Sequence, residues 1–192
     1  NYGEKVLTVN GSKENLKITD NEDLNIFKSL KKGKIYYGIG FDIHRLIKER
    51  KLYLGGVRIP FGLGLKGHSD ADPVLHALID SLLGVCKLGD IGKLFSEKNK
   101  KYKNIRSTIL LKKTVELVKS KNFLINNIDI NIIAQEPKIK KYERKMKDAI
   151  SKLCETNPNQ ISIKGRTTEK LGLIGKEKAI AAETIVSVTK ND

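Results

Sequence analysis

Tryptophan is absent from the 192-residue chain, and aromatic residues make up only 6% of it. Proteins that hold single-stranded nucleic acid stack its bases on aromatic rings, and readers of duplexes favour arginine forks. This chain is poorly furnished for either, since lysine far outnumbers arginine. Its two cysteines, Cys86 and Cys154, stand far apart in apolar helical contexts. That excludes a disulfide framework and a zinc-knuckle spacing, and reads as two reduced thiols packed as small hydrophobes. No apolar run approaches the roughly 20 residues of a membrane-spanning helix. Acidic residues are also scarce: 22 against 37 basic ones, for a formal net charge of +15.

A surplus of that size would by itself point to nucleic acid or an acidic surface. Lys, Asn and Ile are abundant, however, even in stretches such as SEKNKKYKN, as an A/T-rich coding sequence would produce. The charge is better matched to a small polyanionic substrate than to nucleic acid or membrane. A basic RNA-binding protein is the rival from another class, and it predicts a steep salt-dependent affinity for RNA.

Apolar residues at 39% suffice for one domain with an appendage. The chain starts with Asn rather than Met, so the expectation is a fragment or a processed form with any leader removed. Residues 1–34 are polar and weakly periodic and read as a variable N-terminal extension; residues 35–192 read as the folded domain. IYYGIGFDIH predicts a strand, and KLYLGG with VRIPF predicts two strands around a Gly-Gly turn ended by Pro60. Ser69, three residues ahead of Asp72, resembles the start of a capping box. Pro73 suits the first turn of a helix running to about Cys86 with Val74, Leu75, Leu78, Leu82 and Val85 inward. A second helix is predicted over IRSTILLKKTVELVKSKN, with Ile109, Leu110, Val115, Leu117 and Val118 on or near one side. LINNIDINIIAQ alternates, with Ile128, Ile130 and Ile132 on one face, and Pro137 breaks it. A basic amphipathic helix to about Cys154 and two more strands follow. The order predicts an α+β fold with a mixed sheet.

The chemistry-bearing residues cluster. The only histidines are His44, His68 and His76. Asp42 and His44 share a strand face, and His76 lies on the next helix with Asp72 and Asp80 four residues to either side. If strand and helix meet, Asp42, His44 and His76 make a three-ligand zinc set with one open position, the hallmark of a catalytic site. Asp72 or Asp80 would then orient the other ring nitrogen of His76. His68 and Ser69 precede a helix N-terminus, where phosphate oxygens are favoured. LGDIGKLF has the wrong glycine spacing for a Walker loop and reads as a turn around Asp90. In KGRTTEKLG, hydroxyls beside Lys164 and Arg166 suit phosphate and Glu169 suits a hard divalent cation; a helix cap at Thr167 or Thr168 is the equal alternative.

Six of these stretches occur together and in order: GFDIH, LGGVRIP, HSDADPVLHALIDSLLG, LGDIGKLF, IIAQEPK and TTEKLG. In that order and spacing the chain resembles the 2-C-methyl-D-erythritol 2,4-cyclodiphosphate synthase family over about residues 36 to 189. The resemblance implies a mixed sheet with helices on one side, assembled as a homotrimer with the sheets facing the trimer axis and active sites between subunits. It implies cyclisation of 4-diphosphocytidyl-2-C-methyl-D-erythritol 2-phosphate with release of CMP. It makes Asp42, His44 and His76 zinc ligands, Glu169 the residue for Mg2+ or Mn2+, and His68 and Thr167 the catalytic phosphate contacts. Substrate contacts fall to Ser69, Asp90, Ile91, Gly92 and the Phe95 to Asn99 segment. Others fall to the Ala134 to Lys140 stretch (Pro137, Lys138, Ile139 and Lys140 among them) and to Gly165, Arg166 and Thr168. Leu173 and Lys176 replace the aromatic and arginine that line an axial cavity in related bacterial sequences, which speaks against isoprenoid-diphosphate binding there. A zinc phosphodiesterase that uses the same ligands to activate water is the enzymatic rival. The extension and the A/T-driven composition suggest a relict plastid, with bacterial cytoplasm as the alternative.

Overall fold

Fourteen residues, Lys34–Ile47, form strand β1, with apolar side chains at every second position from Ile35 to Ile43. The computed structural model describes residues 10, 11, 17–24, 33–96, 99, 102 and 104–190. The chain divides into two units, residues 1–33 and 34–192. In the first, Asp20 caps one helical turn at residues 21–24 by accepting the Glu22 and Asp23 N–H groups at 2.8 and 2.9 Å. Most of the predicted extension lies outside the described residues.

In the second unit, β2 (Leu52–Leu54) and β3 (Val57–Ile59) form the hairpin read from the sequence. Its turn residues Gly55 and Gly56 both have positive φ, +58° and +79°, the conformation a two-residue primed turn demands and glycine adopts without strain. Strand β4 (Gly64–Leu65), helix α1 (Pro73–Val85) and a single turn α2 (Ile91–Leu94) come next. They are followed by helix α3 (Ser107–Ser120), strand β5 (Phe123–Ile133) and helix α4 (Glu143–Cys154). Strand β6 (Ile161–Arg166), the short α5 (Gly172–Gly175) and strand β7 (Ala179–Lys190) complete the chain. The main sheet has the order β4-β1-β7-β5-β6. Only β5 and β6 run parallel, so the sheet is mixed, as expected.

One face of that sheet carries the helices. Ile128, Ile130, Ile132, Val186 and Val188 are fully buried there together with Leu78, Ile79, Leu82 and Leu83 of α1. Each such side chain contributes about 1.5–3 kcal/mol by leaving water. In α3 the inward side differs from expectation: Leu110, Leu111, Thr114, Val115 and Val118 are buried, whereas Ile109 is 47% exposed. The helix is rotated so that Leu111 and Thr114 face the core. The opposite sheet face is apolar yet open. Ile35, Tyr37, Ile39, Phe41 and Ile43 of β1, Leu124 of β5 and Ile185 of β7 are each 46–72% exposed. Among the described residues no helix is long and apolar enough to cross a membrane.

Candidate active site

The inward positions of β1 are Gly38, Gly40, Asp42, His44 and Leu46, and the glycines set the distance to α1. A Cβ on Gly38 would lie 2.0 Å from the Ser81 carbonyl oxygen, and one on Gly40 2.0 Å from that of Ala77. The helix backbone therefore rests directly on the strand, and His76, one residue before Ala77, lands beside Asp42. Asp42 Oδ2 lies 2.9 Å from His76 Nδ1 and 3.0 Å from His44 Nδ1. Burial pushes the Asp42 carboxyl up, but the two imidazoles outweigh it and hold the group at about 2. For His76, burial lowers the imidazole's affinity for a proton, yet contact with Asp42 prevails and the net shift is upward.

These three side chains suit a metal. Their donor atoms lie within 4.8 Å of one another and offer two nitrogens and one oxygen, a common catalytic zinc set. His44 Nδ1 is buried, and despite its 3.0 Å approach to Asp42 it makes no hydrogen bond. The distance is short but the alignment is wrong, which leaves that nitrogen with an unmet need that a cation would satisfy. The cluster opens on a cleft of about 230 Å³ whose lining includes His68, Ser69, Asp80, Ile91, Gly92 and Phe95. The structure thus brings Asp42, His44 and His76 together with His68, Ser69, Ile91, Gly92 and Phe95 of the sequence-predicted residues around one cleft; Asp90 does not line it.

Neither Asp72 nor Asp80 touches the far nitrogen of His76, contrary to expectation. Asp72 is itself the N-cap of α1, the place predicted for Ser69: its Oδ1 accepts from Val74 N at 3.1 Å and Leu75 N at 3.2 Å. It also takes the N–H groups of Gly55 and Gly56 at 2.9 and 2.7 Å, tying the hairpin to the helix. Asp80 accepts from Ile91 N at 2.7 Å and fixes the entry to α2, which Asp90 caps by accepting from Lys93 N at 2.8 Å. His76 Nε2 instead lies 2.9 Å from Ser107 Oγ and 3.1 Å from Ser69 Oγ. Asp70 and Arg106 stand behind Ser107, and Arg50 holds the loop beneath the site by donating to Gly67 O and Ser69 O, both at 2.6 Å. Sequence reasoning passed over these residues; the one signal available was the HSDAD run itself, whose first aspartate had no assigned partner.

The remaining predicted residues form a separate group. Ala134, Pro137, Lys138, Ile139, Lys140, Gly165, Arg166 and Thr167 line a second cleft of about 380 Å³, joined by Lys164. No residue lines both clefts. Pro137 follows a cis peptide bond. Thr167 donates to Glu169 at 2.5 Å, and both are exposed; Thr168 donates to Leu171 O at 2.8 Å. No helix starts there, so the alternative reading of this turn as a helix cap is not what is built. Of the Phe95 to Asn99 segment, Phe95, Ser96 and Asn99 are described.

Comparison with known proteins agrees with this geometry. The chain is 57% identical over 190 residues to the bifunctional enzyme IspD/IspF of Pelagibacter ubique, covering 99% of this chain and 50% of that one. It thus spans about half the length of this relative. It is 46% identical over 156 residues to the 2-C-methyl-D-erythritol 2,4-cyclodiphosphate synthase of Azobacteroides pseudotrichonymphae, covering 81% of this chain and 93% of the relative. The IspF of Plasmodium falciparum, solved as a CDP complex, superposes with a TM-score of 0.73 at 39% identity, over 83% of this chain and 99% of that one. Both curated relatives are bacterial, which lends no support to the plastid expectation. The YgbB family pattern matches residues 35–189, nearly the whole of the second unit, and the chain belongs to that family.

Proposed function

We propose that residues 35–192 form a cyclodiphosphate synthase of isoprenoid biosynthesis, with residues 1–34 as an N-terminal extension outside the catalytic fold. Its substrate is 4-diphosphocytidyl-2-C-methyl-D-erythritol 2-phosphate. Its products are 2-C-methyl-D-erythritol 2,4-cyclodiphosphate and CMP. The observation that carries this reading is the convergence of Asp42, His44 and His76 on one point beside a cleft that also presents His68 and Ser69. Zinc held there supplies Lewis acidity toward a phosphate oxygen. An oxygen of the substrate's own 2-phosphate bonds to the β-phosphorus, the bond from that phosphorus to the bridging oxygen breaks, and the electron pair leaves with CMP. No protein nucleophile is required. His68 stands exposed at the mouth of the cleft, where it can donate to a phosphate oxygen. Lys138, Lys140, Lys164 and Arg166 gather positive charge around the second cleft, where the cytidine diphosphate end is held, and Thr167 offers its hydroxyl beside them. Glu169 is the residue for Mg2+ or Mn2+. The contribution of all these groups is positioning and charge neutralisation, which suffices for phosphoryl transfer.

The two clefts share no residue, and the apolar sheet face lies open. Both features support a homotrimer in which sheets face the axis and the metal cleft of one subunit meets the nucleotide cleft of its neighbour. Bacterial cytoplasm is the compartment this reading favours. The direct test supplies zinc, Mg2+ and the diphosphocytidyl substrate and identifies the products. CMP and the cyclic diphosphate should form in equal amounts; a linear hydrolysed product would establish the phosphodiesterase instead.

A further inference from the structure

We infer that Ser107 is a positioning residue for the metal site: its hydroxyl, held by Asp70 and Arg106, accepts from Nε2–H of His76 and so leaves Nδ1 as the nitrogen that faces the metal. This role rests on the metal reading above. His76 turns Nδ1 toward Asp42 Oδ2 at 2.9 Å and Nε2 toward Ser107 Oγ, also at 2.9 Å. A neutral imidazole has one N–H and one lone pair, and its partners decide which is which. Here the partner has no freedom. Ser107 Oγ donates to Asp70 Oδ1 at 2.5 Å, the same oxygen that accepts Ser107 N–H at 3.0 Å. An ionised carboxylate accepts only, so the one hydroxyl proton of Ser107 is committed to Asp70, and only lone pairs remain for His76. Nε2 must therefore carry a proton. In the metal-free chain Asp42 Oδ2, acceptor-only as well, takes a proton from Nδ1; a cation at the place where Asp42 and His44 converge displaces that Nδ1 proton and leaves the one on Nε2.

Arg106 keeps the carboxylate in that orientation. Its Nε donates to Asp70 Oδ2 at 2.7 Å, its Nη2 donates to Gly56 O at 3.3 Å, and its guanidinium lies 4.1 Å from the Tyr53 ring centre. Ser69 also reaches Nε2, at 3.1 Å, and accepts from Ala71 N at 3.0 Å. Its own proton can go to Ser107 Oγ, 3.5 Å away, whose proton is already given to Asp70, so Ser69 too presents a lone pair to Nε2. Ser107 is fully buried, and Asp70 is 8% and His76 9% exposed, so water does not supply an alternative partner. Metal-bound histidines characteristically donate their second nitrogen to a fixed acceptor. In this chain a serine serves, made an acceptor by the aspartate behind it.

The test uses the full chain in four forms: wild type, Ser107→Ala, Ser107→Thr and Ser81→Ala. Ser81 is the control, a fully buried serine on the same helix as His76 whose hydroxyl donates only to Leu78 O. Zinc affinity is measured by competition with a chromophoric chelator. The tautomer of each of the three histidines is read from long-range proton–nitrogen correlation spectra of the zinc-loaded chain. Wild type should show His76 as the Nε2–H tautomer. Ser107→Ala should shift the Nε2–H resonance of His76 and weaken zinc by roughly 10–100-fold, as loss of an outer partner does. Ser107→Thr should restore both readings, and Ser81→Ala should leave both at wild-type values. Wild-type zinc affinity in Ser107→Ala overturns this role, as does an equal loss in Ser81→Ala. Should Ser107→Ala not fold, the wild-type spectrum decides alone, because an Nδ1–H tautomer at His76 is incompatible with the inference. A wild-type chain that binds no zinc overturns the metal reading and this role with it.

Discussion

His76 stands where helix, strand and loop meet, and its removal should separate metal binding from folding. His76→Ala deletes one of the three proposed ligands, and zinc content should fall to near background while circular dichroism still reports a folded chain. Full zinc occupancy in that variant would remove His76 from the ligand set. Thr167→Ala makes the complementary case: the hydroxyl lies in the other cleft, so zinc content should hold while turnover drops by about 100-fold, as loss of one preorganised donor does. Cys154 gives a test that owes nothing to function. Burial drives its thiol up to about 12, so the thiol stays protonated well above neutrality. Iodoacetamide at pH 9 should leave Cys154 unmodified in the native chain and modify it after denaturation, as mass spectrometry can show. Alkylation at the same rate in both states would contradict its burial. The thiol pair was legible in sequence because isolated cysteines in apolar helical contexts have few alternatives. The Asp42–His44 pair was legible for a different reason: strand periodicity alone puts residues two apart on one face. Asp70, Arg106 and Ser107 were not legible, because 36 or more residues separate the partners and no local pattern marks a hydroxyl that will meet a distant carboxylate.

At the scale of elements, the contact of β1 with α1 governs the site. Gly40→Ala would place a methyl 2.0 Å from the Ala77 carbonyl oxygen and 2.8 Å from the Ser81 nitrogen. Both neighbours are helix backbone, which cannot yield as a flexible side chain can. The helix must shift, at a cost of about 1–3 kcal/mol or more, and His76 moves with it. Thermal unfolding should report the loss and zinc titration a weakened site; an unchanged melting point with unchanged affinity would show that the strand–helix spacing is slack. The spans of the strands, of α1 and of the Gly-Gly turn were readable from period-two and period-3.6 patterns and from turn chemistry. The rotation of α3 was not, because its apolar residues surround more of the helix than one stripe, and packing against α1 chose Leu111 over Ile109. The cap of α1 was misassigned to Ser69 because a capping-box pattern fitted three residues early. Asp72 wins because its carboxylate serves helix and hairpin together.

For the molecule as a whole, the decisive feature is a sheet with one face covered and one open. An apolar face of seven large side chains exposed to 46–72% is unusual for a monomer. Ile39→Asp plants a charge in its middle, opposite Ile185 in the sheet register. Light scattering should find the wild type as a trimer and the variant as a monomer. The variant should retain zinc, since Asp42, His44 and His76 project from the other face, and it should lose turnover because the two clefts no longer meet. A trimeric Ile39→Asp chain, or a fully active monomer, would contradict the proposed assembly. The residue pattern supplied the layer architecture but not this open face, which only the family resemblance implied, because a strand with apolar residues on both sides looks the same whether a helix or another copy of the chain covers it.

Strand β1 therefore answers to two masters at alternate positions: glycines and ligands at even numbers, large apolar side chains at odd ones. This makes it intolerant of changes in length in a way no single substitution reveals. Inserting or deleting one residue between Gly38 and Asp42 would turn the ligands outward, or else drive bulky side chains into the space that the glycines keep clear for α1. Surface loops in general absorb gained or lost residues; this strand can be edited only in pairs.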